Sequence, residues 1–343
     1  MTCRGSKTAL CLSLLALVAL PIGCASMAIA SAPEKTATAT PSVAAKEANA
    51  AFWNTFHRGS YEDIPRVMNA LAAAYLQDPG DAETALHLAH AHLWRIAERA
   101  RMAEVPPTIT DDIVIAHKYF AEADHLGPED ARVKGWLASV EMAEGNVHKD
   151  EKLTRRGYFD LLAAKDAWPE FNLFTLGYVF SQLPVTTDRF REGVDYQWET
   201  LDRCAGERID RSRPEYAQVM GKETTAGRNR VCWNSWIAPH NFEGYFLNMG
   251  DMVVKQGNVE TARRLYELAK LSRTYDDWPY RSVLEDRIAQ AAENVALFRN
   301  EAHGEKTRVM MIHSTFACSG CHQAGPQQLA AEASKERSQQ ASR

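Results

Sequence analysis

The stretch NMGDMVVKQGNVETARRLYELAK, residues 248–270, has small and aromatic residues at regular positions. Ala262 and Ala269 follow Gly250 by 12 and 19 positions. The aromatic Tyr266 follows the same glycine by 16 positions. Two helices that pack about 8–10 Å apart need small side chains where they cross and one bulky side chain beside the crossing. The spacing therefore predicts two helices that pack closely as a hairpin.

The same spacing recurs earlier in the chain, in IAHKYFAEADHLGPED (residues 115–130) and in part in LAAAYLQDPGDAETALHLAHAHLW (residues 71–94). This pattern resembles the tetratricopeptide repeat, a family of 34-residue helical hairpins. The resemblance implies an all-α solenoid of about five hairpins over residues 50–202 and 242–301, closed by one amphipathic helix. The alternative is an all-α bundle without repeats.

Composition limits the classes of partner. The chain has 343 residues, of which 45% are hydrophobic and 24% are charged, so it can bury a core. Its formal net charge of −5 predicts no nucleic-acid partner and no attraction to an anionic membrane surface. We find no nucleophile–base pair and no glycine-rich phosphate loop, so no catalytic residue is predicted.

The N-terminus, residues 1–30, is typical of an export signal. Residues 9–20 are an apolar run that is too short to span a bilayer and follows two basic residues. Two processing sites are open: a lipoprotein-like box in which Cys24 takes a lipid, or ordinary cleavage after Ala30. Residues 31–49 lack aromatic side chains and predict a flexible tether.

An irregular insert at residues 203–241 interrupts the helical pattern. Because export places the chain in an oxidising compartment, we expect a disulfide between Cys204 and Cys232 to pin this insert. The alternative is two buried free thiols. Trp233 and Trp236 are expected to pack the insert down or to line a pocket.

The motif CSGCH, residues 318–322, lies in a C-terminal segment of residues 302–343 that ends in a polar tail. Two thiols one helical turn apart can add to the two vinyl groups of a porphyrin, and the next histidine then lies under the iron. The motif predicts one covalent haem c on Cys318 and Cys321, with His322 as an axial ligand. Over these residues the chain resembles c-type cytochromes, in particular the four-helix class that carries the motif on its last helix.

Three other interpretations of the motif remain open: a redox-active dithiol, a plain disulfide, and a zinc site that adds His313. For a haem, the sixth iron ligand is also open. Met310, Met311 and His313 are near in sequence, but they can reach the far face of the haem only if the chain turns before Cys318. A ligand from the helical array, or an open position, is the alternative.

A histidine cluster, LHLAHAHLW, occupies residues 86–94. His87 and His90 share a helix face and could bind a metal or a haem, although such residues more commonly line a groove. His92 is the third member. The repeat register places His90 and Trp94 on the concave face, where repeat proteins usually bind partners.

These observations predict an exported, tetratricopeptide-like scaffold with one haem c, which transfers electrons or couples redox state to partner binding. One alternative is a non-haem binding scaffold whose motif is a disulfide or a metal clip, and another is a haem enzyme with an open iron position. We expect an electron carrier or scaffold rather than an enzyme. Its location would be the periplasm, either soluble or lipid-anchored, and its partner a periplasmic or membrane-associated protein.

Overall fold

A computed structural model describes residues 25–233, 240–300 and 309–341 of the chain. Cys24, most of the predicted signal and Trp236 lie outside the described residues. Residues 25–37 form a unit of their own, in which residues 25–30 are helical. Within the described part of the chain, no helix has the length and apolar character needed to cross a membrane.

Residues from Thr38 onward form the second unit, and the described part of it contains helices and no strand. Ten helices pair in sequence order as five hairpins. They are α1 Val43–Arg58 with α2 Ile64–Gln77, α3 Ala82–Ala97 with α4 Asp111–Leu126, α5 Ala131–His148 with α6 Glu151–Ala167, α7 Pro169–Ser181 with α8 Asp188–Ala205, and α9 Phe242–Gln256 with α10 Val259–Leu268. The predicted all-α architecture of helical hairpins is confirmed.

The helix starts follow from local chemistry. A side chain at the N-cap accepts a hydrogen bond from the first turn in seven of the paired helices, which satisfies an otherwise unpaired N–H group. These N-cap residues are Ser42, Asp81, Asp130, Asp150, Thr187, Asn241 and Asn258. Glycines in the left-handed conformation end α1, α8 and α9.

The helix crossings are as close as the spacing of small residues predicts. A methyl group on Gly250 would lie 2.1 Å from the Cε1 ring carbon of Tyr266, so α9 and α10 meet at this glycine. A methyl group on Gly157 would lie 2.6 Å from the main-chain oxygen of Ala138, at the crossing of α6 and α5. A larger side chain at either position would therefore require the facing residue to move.

The start of the first hairpin differs from the sequence-based expectation. Helix α1 begins at Val43 and buries Ala45 and Ala48 in the first-hairpin core. The flexible tether predicted over residues 31–49 is therefore wrong from residue 43 onward, because these alanines are needed to complete the core.

The end of the helical array also differs. The single closing helix is wrong, because the chain breaks at Gln290 into α11 Arg281–Ala289 and α12 Ala291–Arg299. The break allows α11 to pack on α10 while α12 packs on α9.

The irregular insert between α8 and α9 contains two short 3₁₀ segments, Ala217–Lys222 and Arg228–Cys232. A disulfide joins Cys204 at the end of α8 to Cys232, with the two Cα atoms 5.8 Å apart. Trp233 stacks on Phe242 at 5.6 Å between ring centroids, which packs the insert against the start of α9.

The C-terminal segment returns to the helical array. Met311–His313 is a 3₁₀ turn, Ser319–His322 is the short helix α13, and Pro326–Ala341 is α14. Cys318 packs against the core cluster of the first hairpin and α3, whereas Cys321 belongs to the larger cluster formed by α7 to α12. The motif therefore lies where these two parts of the core meet.

Candidate functional site

The motif residues form one helical turn, on which Cys318 and Cys321 are three positions apart and therefore neighbours on the helix surface. Main-chain N–H groups of Cys321 and His322 donate to the carbonyl of Cys318 at 3.1 and 3.0 Å. Cys318 is partly buried, Cys321 is 3% exposed, and neither forms a disulfide. The plain-disulfide interpretation is therefore not the arrangement in this structure.

Glu98, which follows the last residue of α3, caps this turn. Its Oε1 atom accepts hydrogen bonds from the main-chain N–H groups of Cys318 and Ser319, both at 2.8 Å. Its Oε2 atom accepts from Nε1 of Trp94 at 3.0 Å and from Nη1 of Arg101 at 3.1 Å. The side chain is fully buried, so the carboxylate is held by the motif and its neighbours rather than by water. Burial raises the pKa of Glu98, against the opposing effect of these donors.

Trp94 corrects the expectation of a partner-binding surface. It is 2% exposed, lies against Phe56 at 4.8 Å between ring centroids, and donates to Glu98. A side chain buried in this way cannot bind a partner protein. It belongs instead to the core cluster of the first hairpin and α3.

Helix α9 holds the motif from the other side. The main-chain N–H of Asn241 donates to the carbonyl of Cys321 at 2.8 Å. A methyl group on Gly244 would lie 2.8 Å from Sγ of Cys321, so only glycine leaves room for this thiol. Nε1 of Trp278 donates to the carbonyl of Gly320 at 3.3 Å. The turn is thus fixed at its carbonyl end as well as at its N–H end.

Residues on both sides of the motif are also attached to the array. The Tyr178 hydroxyl on α7 donates to the carbonyl of Ala317 at 3.1 Å, and the N–H of Ala324 donates to the carbonyl of His57 at 2.8 Å. Oδ2 of Asp277 accepts from N–H groups in the first turn of α14, where a negative charge stabilises a helix. The motif is therefore an integral part of the fold.

Aromatic and imidazole side chains surround His322. Its ring lies 4.6 Å from the ring of Phe56. Burial, with a further contribution from His322, lowers the pKa of His57 and of His240, and in His240 lowers it to about 3. Burial likewise lowers the pKa of His90 to about 3, again with a smaller effect of His322. These three imidazoles are therefore neutral at physiological pH.

His240 stands out within this group. Its Nδ1 atom lies 3.0 Å from the main-chain oxygen of Asn241, and its Nε2 atom is buried with no hydrogen-bond partner. The ring is 4.3 Å from that of Phe174 and 5.1 Å from that of Tyr245, measured between centroids. Sequence reasoning missed this histidine because it lies in the irregular insert, where no periodic pattern assigns a face.

The predicted histidine cluster does not assemble into a metal site. Nδ1 of His87 is 2.8 Å from Oδ1 of Asn49, and Nδ1 of His92 is 2.7 Å from Oδ1 of Asp112. His90 directs its Nδ1 to a carbonyl of its own helix, at 3.0 Å. Among residues 25–233, 240–300 and 309–341, no three His, Cys, Asp or Glu side chains are placed to hold a metal ion, which also counts against the zinc interpretation of the motif.

Met310, Met311 and His313, the candidates for a sixth iron ligand that precede the motif, lie away from the two thiols. A methyl group on Gly320 would meet Cε of Met311 at 2.8 Å, so Met311 packs on the Gly320 side of the turn. At 3.6 residues per turn, Gly320 projects about 100° away from Cys321 and about 200° away from Cys318. Met311 is therefore on a different face from the thiols. Met310 is buried in the larger core cluster, and His313 is exposed.

The chemistry of the thiols argues against a redox dithiol. Burial, with a further effect of Glu98, raises the pKa of Cys318, and burial raises the pKa of Cys321. Reactive dithiols have depressed pKa values and occur in a βαβ context, whereas the described residues contain no strand.

Two features fit a covalent haem. Two free thiols lie three positions apart on one helical turn, and the Nε2 atom of His240 is buried without a partner. A cavity of about 140 Å³ nearby is lined in part by Asn241, Trp278 and Gln323, but it includes neither thiol. It is also smaller than the roughly 300–1,000 Å³ of most cofactor sites, so it is not a haem pocket.

Comparison with known proteins assigns no family to the chain: no protein-family model and no curated protein matches this sequence.

Proposed function

We propose that this protein is an exported, tetratricopeptide-like helical scaffold that carries one haem c and exchanges electrons with a periplasmic or membrane-associated protein. Cys318 and Cys321 would form the two thioether bonds, and His322 would bind the iron. When bound, the haem would supply reversible one-electron transfer.

The observation that carries the proposal is how the motif is held. Glu98 fixes the two N–H groups that begin the turn, while Asn241 and Trp278 fix its carbonyl groups. A thioether-forming turn must keep both thiols and the following histidine on one side of the porphyrin. Hydrogen bonds at both ends of the turn keep that geometry rigid, which suits electron transfer because a rigid ligand set needs little rearrangement.

The chain's own residues would also control the surroundings of the iron. Phe56 lies against the His322 ring, and Phe174 and Tyr178 belong to the same helix, α7, beside the motif. Their apolar rings would limit the access of water. Low polarity around a haem is one of the factors by which a protein sets its reduction potential.

The test is expression with the natural leader in a host that attaches haem c. We expect a Soret band that survives denaturation and acid–acetone extraction. Cys321→Ala and Cys318→Ala should each lose one thioether, and the double variant should lose covalent haem entirely. The matched control is the double substitution Cys204→Ala/Cys232→Ala, which removes the disulfide pair and should retain haem. Colourless wild-type protein under these conditions would refute the proposal and favour the non-haem scaffold.

Location is tested separately by cell fractionation. A lipid on Cys24 would place the protein in the membrane fraction, and Cys24→Ala would then release it or block its processing. Cleavage after Ala30 would instead give soluble periplasmic protein, with a mature N-terminus at Ser31 that mass spectrometry identifies. Recovery of the unprocessed chain in the cytoplasm would contradict export.

A further inference from the structure

We propose that His240 supplies the second axial nitrogen to the haem iron, so that the iron is bound by two histidines. This inference rests on the proposed function, since it needs a haem on Cys318 and Cys321. It assigns the sixth ligand to a residue of the insert rather than to the methionines or the histidine that precede the motif.

The first argument is the state of the His240 ring. Nδ1 is 3.0 Å from the carbonyl of Asn241, so it carries the proton and donates it to that oxygen. Nε2 then bears a free lone pair, and it is buried with no hydrogen-bond partner. A buried polar atom without a partner is costly and rare in folded proteins. Histidines that bind metals show this same arrangement, with one nitrogen tied to a carbonyl and the other left for the metal.

The second argument is position. Asn241, the next residue, donates its main-chain N–H to the carbonyl of Cys321 at 2.8 Å and caps α9 with its side chain. His240 is therefore one residue from a direct contact with the motif. Its ring is confined by Phe174 and Tyr245, at 4.3 and 5.1 Å. A ligand held in this way is oriented before the iron arrives, which lowers the cost of binding it.

The other two imidazoles near the motif are those of His57 on α1 and His90 on α3. Residues of α1 lie on the His322 side, because Phe56 contacts the His322 ring and the His57 carbonyl accepts from Ala324. The second axial ligand must come from the opposite side of the haem. His90 is packed edge-on against Phe120 at 4.9 Å, in the core between α3 and α4.

The experiment uses the full-length, haem-loaded protein and first measures covalent haem per chain as a pyridine haemochrome. Near-infrared magnetic circular dichroism of the oxidised wild type then reports the axial pair directly, and we expect the signature of two histidines. His240→Ala should become high-spin and should bind cyanide or carbon monoxide at least tenfold faster. Added imidazole should restore the low-spin spectrum, because it can occupy the vacated position.

His240→Met and the control His90→Ala complete the design. The methionine variant should stay low-spin but show a histidine–methionine signature, while the control should keep the wild-type spectrum. A wild type that is high-spin, or that shows a histidine–methionine pair, would overturn the assignment even though haem is attached. Low-spin His240→Ala with a high-spin His90→Ala would also overturn it and move the ligand to His90. Absence of covalent haem would instead refute the proposed function itself.

Discussion

Replacement of Glu98 by alanine removes the acceptor that joins the motif to α3. Four buried donors lose this acceptor: the N–H groups of Cys318 and Ser319, the Ser319 hydroxyl and the indole Nε1–H of Trp94. An unsatisfied buried donor costs about 1–3 kcal/mol, and water that enters the vacated space would satisfy some of them. We therefore expect Glu98→Ala to lower the free energy of unfolding by about 3–5 kcal/mol.

Glutamine at position 98 separates the effect of side-chain volume on stability from the effect of the hydrogen bonds. Glu98→Gln keeps the volume and one oxygen, which can still accept from Cys318 and Ser319. Its amide nitrogen cannot accept from Trp94 or Arg101, so part of the loss remains. We expect a reduction of about 1–2 kcal/mol for this variant.

Urea unfolding of the full-length protein measures these differences, and amide hydrogen exchange locates them. Exchange in peptides that cover residues 315–325 should accelerate in Glu98→Ala much more than exchange in the first or fourth hairpin. The control is Glu151→Ala, since Glu151 is a 71% exposed residue with an exposed partner. Its expected change is below about 0.5 kcal/mol. A Glu98→Ala variant within about 1 kcal/mol of the wild type, with unchanged exchange in this segment, would refute the capping role.

Three further predictions test the scaffold. Loss of the disulfide through Cys204→Ser/Cys232→Ser opens a loop with a sequence separation of 28, which should lower the free energy of unfolding by about 3.5 kcal/mol. The melting temperature should then fall by several degrees. Free thiols at both positions in the mature wild type would contradict the bridge. Gly250→Ala puts a methyl group against a packed ring and should cost more than about 2 kcal/mol in urea unfolding, while Gly221→Ala, with open space around it, should cost less than about 1. Hydrogen bonds that the His117 imidazolium donates to two glutamates of α5 raise the pKa of His117. Its contribution to stability is therefore present below about pH 6.5 and is lost as the pH rises through the higher pKa of the folded state. His117→Gln should flatten this part of the stability profile, and an unchanged profile would contradict the pairing.

The hairpins were predictable because a close helix crossing requires small and bulky residues at fixed spacings within a short stretch of sequence. Gly250 and Tyr266 are 16 positions apart, and their contact is the one that the spacing predicts. The start of α1 was harder to predict from the sequence, since alanines are common in disordered tethers as well as in helices. The distinction depends on the first-hairpin core, which buries Ala45 and Ala48. Such contacts come from residues distant in sequence, so composition alone cannot reveal them.

The candidate site likewise contains residues that the sequence predicts and residues that it does not. The motif predicts Cys318, Cys321 and His322 as candidate haem-binding residues from sequence alone, since its chemistry lies within five residues. Glu98 was missed because it acts 220 residues away. One signal was available: it is an acidic residue at the C-terminal end of a helix, where the helix dipole disfavours negative charge. A residue in that position often has a partner that offsets the cost, and here the partner is the N-terminal end of another helical turn.

The motif contacts two parts of the core, and this explains why so long a helical array precedes it. Cys318 packs on the first-hairpin cluster, and Cys321 packs in the cluster that includes the fifth hairpin. A short helical turn cannot bury two thiols or keep its N–H and carbonyl groups satisfied by itself, because four residues provide hardly any internal hydrogen bonds. The hairpins supply both, through Glu98 at one end and Asn241 at the other. On this view the array acts first as the binding site for its own C-terminal segment, and any external partner must recognise a surface that this segment leaves uncovered.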